Sequence, residues 1–132
     1  MKRTLRMTFS IMLALMISIG LMAQKPEDLT GIWVGSATLD VEAEPNELTL
    51  VLEMIDGNLT GKITDQYGTM NDKQIEKISL EEAIFSFSVS LEVPSGTFTL
   101  EFKMNVSGET MKGELSVPEL GASGTWEANK QK

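Results

Sequence analysis

The chain of 132 residues contains no cysteine and no histidine. Without cysteine it can form no disulfide, so stability in an oxidising compartment would have to come from packing alone. The two absences exclude hydrolases that use a Ser-His-Asp or Cys-His arrangement, and they leave only carboxylates among the usual zinc ligands. No glycine-rich loop followed by Lys and Ser or Thr is present to hold a phosphate. We therefore expect no enzyme activity, no metal and no cofactor.

Arginine occurs only at Arg3 and Arg6. Together with Lys2 these residues precede an apolar run over residues 9–23, the basic-then-apolar order of a secretory signal. The run is too short to span a bilayer comfortably, and the small Ala23 is the expected cleavage position. We predict that residues 1–23 form a signal helix and that the protein is exported, either to the periplasm or as a secreted protein. A retained membrane anchor is the alternative.

Loss of that segment would leave 8 basic residues against 19 acidic ones, a net charge of −11. Nucleic acids and anionic lipid surfaces are bound through basic patches, so we expect neither as a partner once the signal is removed. The remaining length of about 109 residues is enough for one domain with a real core. We divide it into a polar lead-in over 24–30, a domain over 31–128 and a C-terminal tail over 129–132.

From Gly31 onward, apolar and polar residues alternate with a period of two, which is typical of strands with one buried face. The pattern is clearest over 85–93, where apolar residues alternate with serines. Turn sequences such as Asp56-Gly57-Asn58 divide the runs and predict a meander of hairpins. Residues 66–80 fit least, and we interpret them as a loop and one irregular strand. The predicted fold is all-β, an up-and-down antiparallel barrel of about eight strands, with a two-sheet sandwich as the alternative.

An internal repeat supports this layout, because the segment 48–64 resembles the segment 98–116. Each copy has a glycine, Gly61 or Gly113, in the middle of an apolar strand face. Such glycines indicate a sharp bend or a close approach of two backbones, as at the corners of a small barrel. The spacing predicts a turn two residues longer in the second copy.

The two ends of the domain share a second pattern, Gly31-Ile32-Trp33 and Gly124-Thr125-Trp126. With the Gly57 to Gly61 turn, this layout resembles the lipocalin-like and avidin-like (calycin-type) small barrels, in which Gly-x-Trp opens the first strand. The resemblance implies that the first and last strands are neighbours, that the two tryptophans cover one mouth, and that a small ligand could be held inside.

Two departures limit what that resemblance implies. Avidins have an asparagine among their biotin contacts where this chain has Gly35, and lipocalins pack a late-strand arginine across the first tryptophan, whereas this chain has no arginine after Arg6. The resemblance therefore implies the fold, with Trp33 as the closing residue, and no particular ligand.

The candidate ligand site is the barrel interior. An eight-stranded barrel is just wide enough to be filled by its own side chains or to hold one small ligand. We expect any apolar pocket to be lined by Trp33, Phe87, Phe102 and Trp126, and the many large inward residues favour a filled core as the alternative.

Acidic residues around Pro45 form a second candidate: Asp40, Glu42, Glu44 and Glu47. They could chelate calcium or supply a paired acid and base, but they lack calcium-loop spacing, so a solvated acidic loop is the favoured interpretation.

Three functions follow, in order of preference. The first is an exported lipocalin-like binding module, with a small apolar ligand as one possibility. The second is a protein-interaction domain, such as an enzyme inhibitor or accessory subunit, that works through loops 42–46 or 66–74. The third is an enzyme that uses an Asp/Glu pair. The oligomeric state is left open.

Overall fold

The computed structural model describes residues 25–40 and 44–132. The predicted signal helix and its cleavage site lie outside these residues. Two short 3₁₀ turns are present, η1 (Pro26–Leu29) and η2 (Pro118–Leu120). The strands are β1 (Gly31–Leu39), β2 (Asn46–Ile55), β3 (Asn58–Asp65), β4 (Lys73–Gln74), β5 (Glu76–Glu81), β6 (Ile84–Val93), β7 (Gly96–Ser107), β8 (Thr110–Val117) and β9 (Ala122–Lys130).

All nine strands belong to one antiparallel sheet, in the order β4-β3-β2-β1-β9-β8-β7-β6-β5. The first and last long strands pair from Trp33 opposite Lys130 to Leu39 opposite Gly124. The sheet curls into a nearly closed barrel, so the predicted up-and-down barrel is confirmed and the two-sheet sandwich is wrong. Strand β9 runs on through Asn129 and Lys130, which the sequence analysis assigned to the tail.

The barrel is closed by β4 and β5, which are separated only by Ile75. Lys73 and Gln74 pair with β3, and the Ile75 N–H donates to the Gly61 carbonyl at 3.0 Å. From Glu76 onward the chain pairs with β6 instead, through a bulge at Lys77, whose φ is +51°. This change of partner in mid-strand is the irregular strand predicted within 66–80.

The interior glycines mark close backbone approaches, as predicted. A Cβ on Gly113 would lie 2.7 Å from Met104 Cα, and one on Gly61 would lie 2.6 Å from Leu52 Cδ2 and 2.9 Å from Val51 O. The predicted longer turn in the second repeat is wrong. Both turns have two residues between the paired positions Ile55–Asn58 and Ser107–Thr110, so the extra length lies in β7.

Apolar side chains line the barrel interior. The inward residues predicted from alternation are buried for the most part, and Leu39, Leu59 and Phe98 are half-buried at its ends. Three further core residues come from segments without strand periodicity, namely Leu29, Met70 and Ile75. The described residues include no helix long and apolar enough to cross a membrane.

Candidate functional site

The η1 turn closes one end of the barrel. Leu29 is fully buried there, and its carbonyl accepts a hydrogen bond from Trp33 Nε1 at 2.9 Å. Lys130 of β9 lies across the same ring, with Nζ 5.8 Å from the Trp33 centroid and 3.0 Å from the Asp28 carbonyl. A lysine thus occupies the position across the first tryptophan for which the family resemblance implies an arginine.

Three of the four predicted pocket residues contact one another in the core. Phe87 stacks on Phe102 at 4.6 Å between centroids, and Phe102 meets Trp126 edge-on at 5.6 Å. Trp33 lies apart from them under η1, because Trp126 is in register with Ala37, four residues farther along β1. The two tryptophans therefore lie at different levels of the barrel, which corrects the expectation that both cover one mouth. All four rings are at most 3 % exposed.

One polar atom in this core has no partner. Trp126 Nε1 is buried and makes no hydrogen bond within the described residues. It points at the backbone of Gly35, where a Cβ would lie 2.6 Å from it. A buried donor without an acceptor costs about 1–3 kcal/mol. The atom is therefore a position where an acceptor, from water or from a ligand, would be stabilised.

A depression of about 690 Å³ lies on the outer face of β6, β7, β8 and β9, and two of the four predicted pocket residues, Phe87 and Phe102, also border it. We call it the outer groove. Its polar lining consists of Asp40, Lys77, Ser86, Ser88, Glu101, Lys103, Glu114, Ser116, Ser123 and Thr125.

Sheet register explains why these side chains meet. Ser86, Lys103, Glu114 and Thr125 are successive cross-strand partners, and so are Ser88, Glu101, Ser116 and Ser123. Side chains in one such row stand on the same face of the sheet about 5 Å apart. The groove is therefore a two-row array of hydroxyl, carboxylate and ammonium groups.

Ser88 is the most enclosed polar group of the groove, since only 6 % of it is exposed. The alternating pattern over 85–93 predicts that this serine lies on the face opposite the apolar residues, and it indicates no role for it. Alternation establishes its direction, but no local pattern predicts the neighbouring strands, in which Glu76 and Glu101 are its cross-strand partners. The groove residues as a set were missed for the same reason.

Among the acidic residues around Pro45, Asp40 makes structural hydrogen bonds, whereas Glu44 and Glu47 are exposed to solvent. Asp40 closes the turn onto β9, because its N–H donates to the Ser123 carbonyl at 2.8 Å and its Oδ1 accepts from the Ser123 N–H at 3.2 Å. Glu44 and Glu47 are exposed, and Glu42 lies outside the described residues. Among the residues that the structure describes, no group of three acidic side chains could hold a metal ion.

Asp65 is a buried carboxylate with a structural role. Only 6 % of it is exposed, and its oxygens accept hydrogen bonds from the Met70 N–H at 2.9 Å and from Asn46 Nδ2 at 3.3 Å. These bonds hold the 66–70 loop over the second end of the barrel, where Met70 is buried. This carboxylate therefore fixes a loop.

A second and smaller depression, of about 530 Å³, lies on the outer face of β1, β2 and β9. Its charged residues are Glu47 and Glu127, and Gln66 and Asn129 also border it.

Comparison of the chain with protein families, with curated proteins and with solved structures found no match.

Proposed function

We propose that this chain is an exported, non-enzymatic binding module that holds a segment of a partner protein in the outer groove. The observation that carries the proposal is the outer groove itself, a depression of about 690 Å³ whose lining includes hydroxyl, carboxylate and ammonium groups and the enclosed Ser88. Of the two functions preferred from the sequence, this is the protein-interaction domain, with the strands β6 to β9 in place of the loops as the contact surface.

The chemistry of the groove favours a polar partner. Hydroxyl groups at Ser86, Ser116 and Thr125 can donate and accept, and they lie among carboxylates and two ammonium groups. The outward side chains of the four strands within the groove are polar, and Phe87, Phe102 and Leu115 also border it. A peptide backbone, with its regular donors and acceptors, matches a two-row array of this kind.

Long-range charge adds a preference for a basic partner. The described residues carry most of the 19 acidic side chains of the chain and only 8 lysines. Complementary charge accelerates association and discriminates among partners more than it adds affinity. We therefore expect a partner whose binding segment carries Lys or Arg and whose association slows as salt is raised.

The experiment uses a groove-filling variant and a matched control. Ser116→Trp places an indole in the outer groove, whereas Ser107→Trp places one at the exposed end of β7, outside it. The two proteins are compared as baits against a library of random peptides, and the selected peptides are synthesised and titrated. Peptides that bind the wild type and the Ser107→Trp variant but not the Ser116→Trp variant support the proposal. Equal binding to all three proteins contradicts it.

A second candidate function, a small ligand held inside the barrel, is favoured by one observation. The unpartnered Trp126 N–H would donate to a carbonyl, carboxyl or hydroxyl oxygen on an otherwise apolar molecule, beside the predicted pocket residues Phe87 and Phe102. Trp33, bonded to Leu29, would close the barrel over that molecule.

This candidate is tested by titrating the protein with a panel of apolar carbonyl compounds and fatty acids while tryptophan fluorescence is recorded. Saturable quenching that weakens about tenfold in Trp126→Phe, as one lost hydrogen bond of about 1.4 kcal/mol implies, would support it. The absence of saturable quenching across the panel would count against an internal ligand and leave the outer-groove proposal intact.

Export is part of the proposal and rests on the basic and apolar order of residues 1–23. Mass spectrometry of the protein recovered from the periplasm or the medium should give a chain that begins at Gln24. Recovery of the uncleaved chain from the membrane fraction would favour the retained anchor.

A further inference from the structure

The hairpin of β6 and β7 is longer than the strands beside it. Pairing of β6 with β5 ends at Ser88, and pairing of β7 with β8 begins at Glu101. Residues 89–100 therefore form a two-stranded end whose outer edges have no neighbouring strand in the ladders of the described residues. Strand β4, the next segment along, pairs with β3 and not with β6.

One edge of this hairpin end is protected against pairing with another strand. The Thr99 N–H, which points away from β6, donates to both carboxylate oxygens of Glu119 at 3.1 Å. Glu119 belongs to the η2 turn, which begins with Pro118. A charged side chain and a proline at an edge are the usual protection against pairing with another strand.

Within the part of the chain that the structure describes, the opposite edge, at Ser90 and Glu92, has no such protection. Because Thr99 directs its N–H away from β6, its partner Ser90 directs its own N–H and carbonyl away from β7. Glu92 has the same orientation, two residues farther along. These two residues present two donors and two acceptors in a row on the open side of β6.

From this edge we infer that β6 pairs with β6 of a second copy of the chain. In an antiparallel, two-fold arrangement centred on Leu91, Ser90 of one copy lies opposite Glu92 of the other, and their backbones exchange four hydrogen bonds. On the outer face each serine hydroxyl meets a carboxylate rather than another charge. On the inner face Leu91 meets Leu91.

The segment 89–93 is complementary to itself, which favours a second copy of the chain as the strand that pairs with this edge. The apolar Leu91 meets its own copy, and no two like charges are opposed. Leu91 and Phe98, which are half-buried and opposite each other in the hairpin, would lose further exposure in the dimer. The contact is short and belongs with small interfaces, below about 1,200 Å², so the dimer should dissociate on dilution. This inference is independent of the outer-groove proposal.

Single-cysteine crosslinking tests the register directly, since the chain has no cysteine of its own. Residues opposite each other in a non-hydrogen-bonded antiparallel pair have Cα atoms about 4.5 Å apart, within disulfide reach. Leu91→Cys should therefore form a disulfide-linked dimer severalfold faster than Ile84→Cys, an exposed position at the other end of β6. Equal rates for the two variants would overturn the inference.

Sedimentation of the wild type and of Ser90→Pro supplies the second measurement. Proline removes the N–H that faces the open edge and leaves the hydrogen bonds between β6 and β7 intact. The wild type should show a reversible monomer–dimer equilibrium that Ser90→Pro abolishes and Ser90→Ala retains. A wild type that is monomeric at every concentration, or a dimer that Ser90→Pro leaves unchanged, refutes the pairing. If Ser90→Pro does not fold, the crosslinking rates decide the matter.

Discussion

Trp33 donates its indole N–H to the backbone carbonyl of Leu29 at 2.9 Å, and both residues are fully buried. This bond joins the η1 turn to the first strand across the end of the barrel. Trp126, the other tryptophan, is also buried, and its N–H has no partner among the residues that the structure describes. The chain thus holds two similar indoles that differ in hydrogen bonding.

This difference in hydrogen bonding predicts that replacement of tryptophan by phenylalanine lowers the free energy of unfolding by different amounts at the two positions. Trp33→Phe leaves the Leu29 carbonyl buried and unpaired, whereas Trp126→Phe removes a donor that was already unpaired. Both variants lose a similar volume, so we expect Trp33→Phe to lower the free energy of unfolding by about 1–3 kcal/mol more than Trp126→Phe. Urea unfolding of the two variants measures the difference. Equal losses would show that the bond to Leu29 contributes nothing net.

Lys130 should stabilise η1 through its charge. Its Nζ lies 3.0 Å from the Asp28 carbonyl and 5.8 Å from the Trp33 centroid. Lys130→Met keeps an apolar stem over Gly31 and removes the ammonium, for an expected loss of about 0.5–1 kcal/mol. Amide exchange at residues 27–29 should accelerate in this variant and stay unchanged in Lys112→Met, whose side chain is exposed on β8. Unaltered exchange in both variants would contradict the role.

Glu119 predicts an acid-sensitive contribution to stability. The hydrogen bond from the Thr99 backbone N–H is the main cause that lowers the pKa of this carboxyl below its ordinary value. A lowered folded-state pKa means that the contribution is present above the unfolded-state pKa and is lost as the pH falls through the lower folded-state value.

The measurement is the stability difference between the wild type and Glu119→Gln as a function of pH. The difference should be constant near neutrality and vanish in acid. Glu109→Gln, at the exposed turn between β7 and β8, controls for the loss of one negative charge. The same pH dependence in both variants would assign the effect to net charge instead of the Thr99 bond.

The interior glycines should differ in their tolerance of a methyl group. A Cβ on Gly113 meets only backbone atoms of Lys103 and Met104, whereas one on Gly61 meets two side-chain tips and one carbonyl. Backbone cannot move aside as readily as a side chain. We expect Gly113→Ala to destabilise by about 1–3 kcal/mol and Gly61→Ala by less, as thermal or urea unfolding will show. The reverse order would mean that β8 is free to shift.

Much of the fold could be predicted because strand alternation is a local signal. Phe85, Phe87 and Val89 are buried as their spacing requires, and the turn at Asp56 and Gly57 has the positive φ angles that its residues favour. Strand alternation does not predict the burial of Leu29 or of Met70, since each is a single apolar residue in a polar segment. Their burial depends on the barrel ends that they cover.

The candidate site was less predictable. The four aromatic residues Trp33, Phe87, Phe102 and Trp126 were identified as interior, but a pattern of alternation carries no information about volume. Their binding role stays a prediction. Ser88 and its neighbours were identified as outward polar residues, and nothing in their spacing distinguishes a groove from a flat face. The depression arises from the path of four strands together.

The sequence alone determined which face of each strand is apolar, where the hairpins turn, and that no histidine or cysteine chemistry is available, because these follow from residue types and their local order. The tertiary structure decided the rest. Closure through Ile75, the bond between Trp33 and Leu29, and the row from Ser88 to Ser123 join residues that are distant in the chain. Such contacts depend on register and curvature, which are properties of the whole sheet and of no single segment.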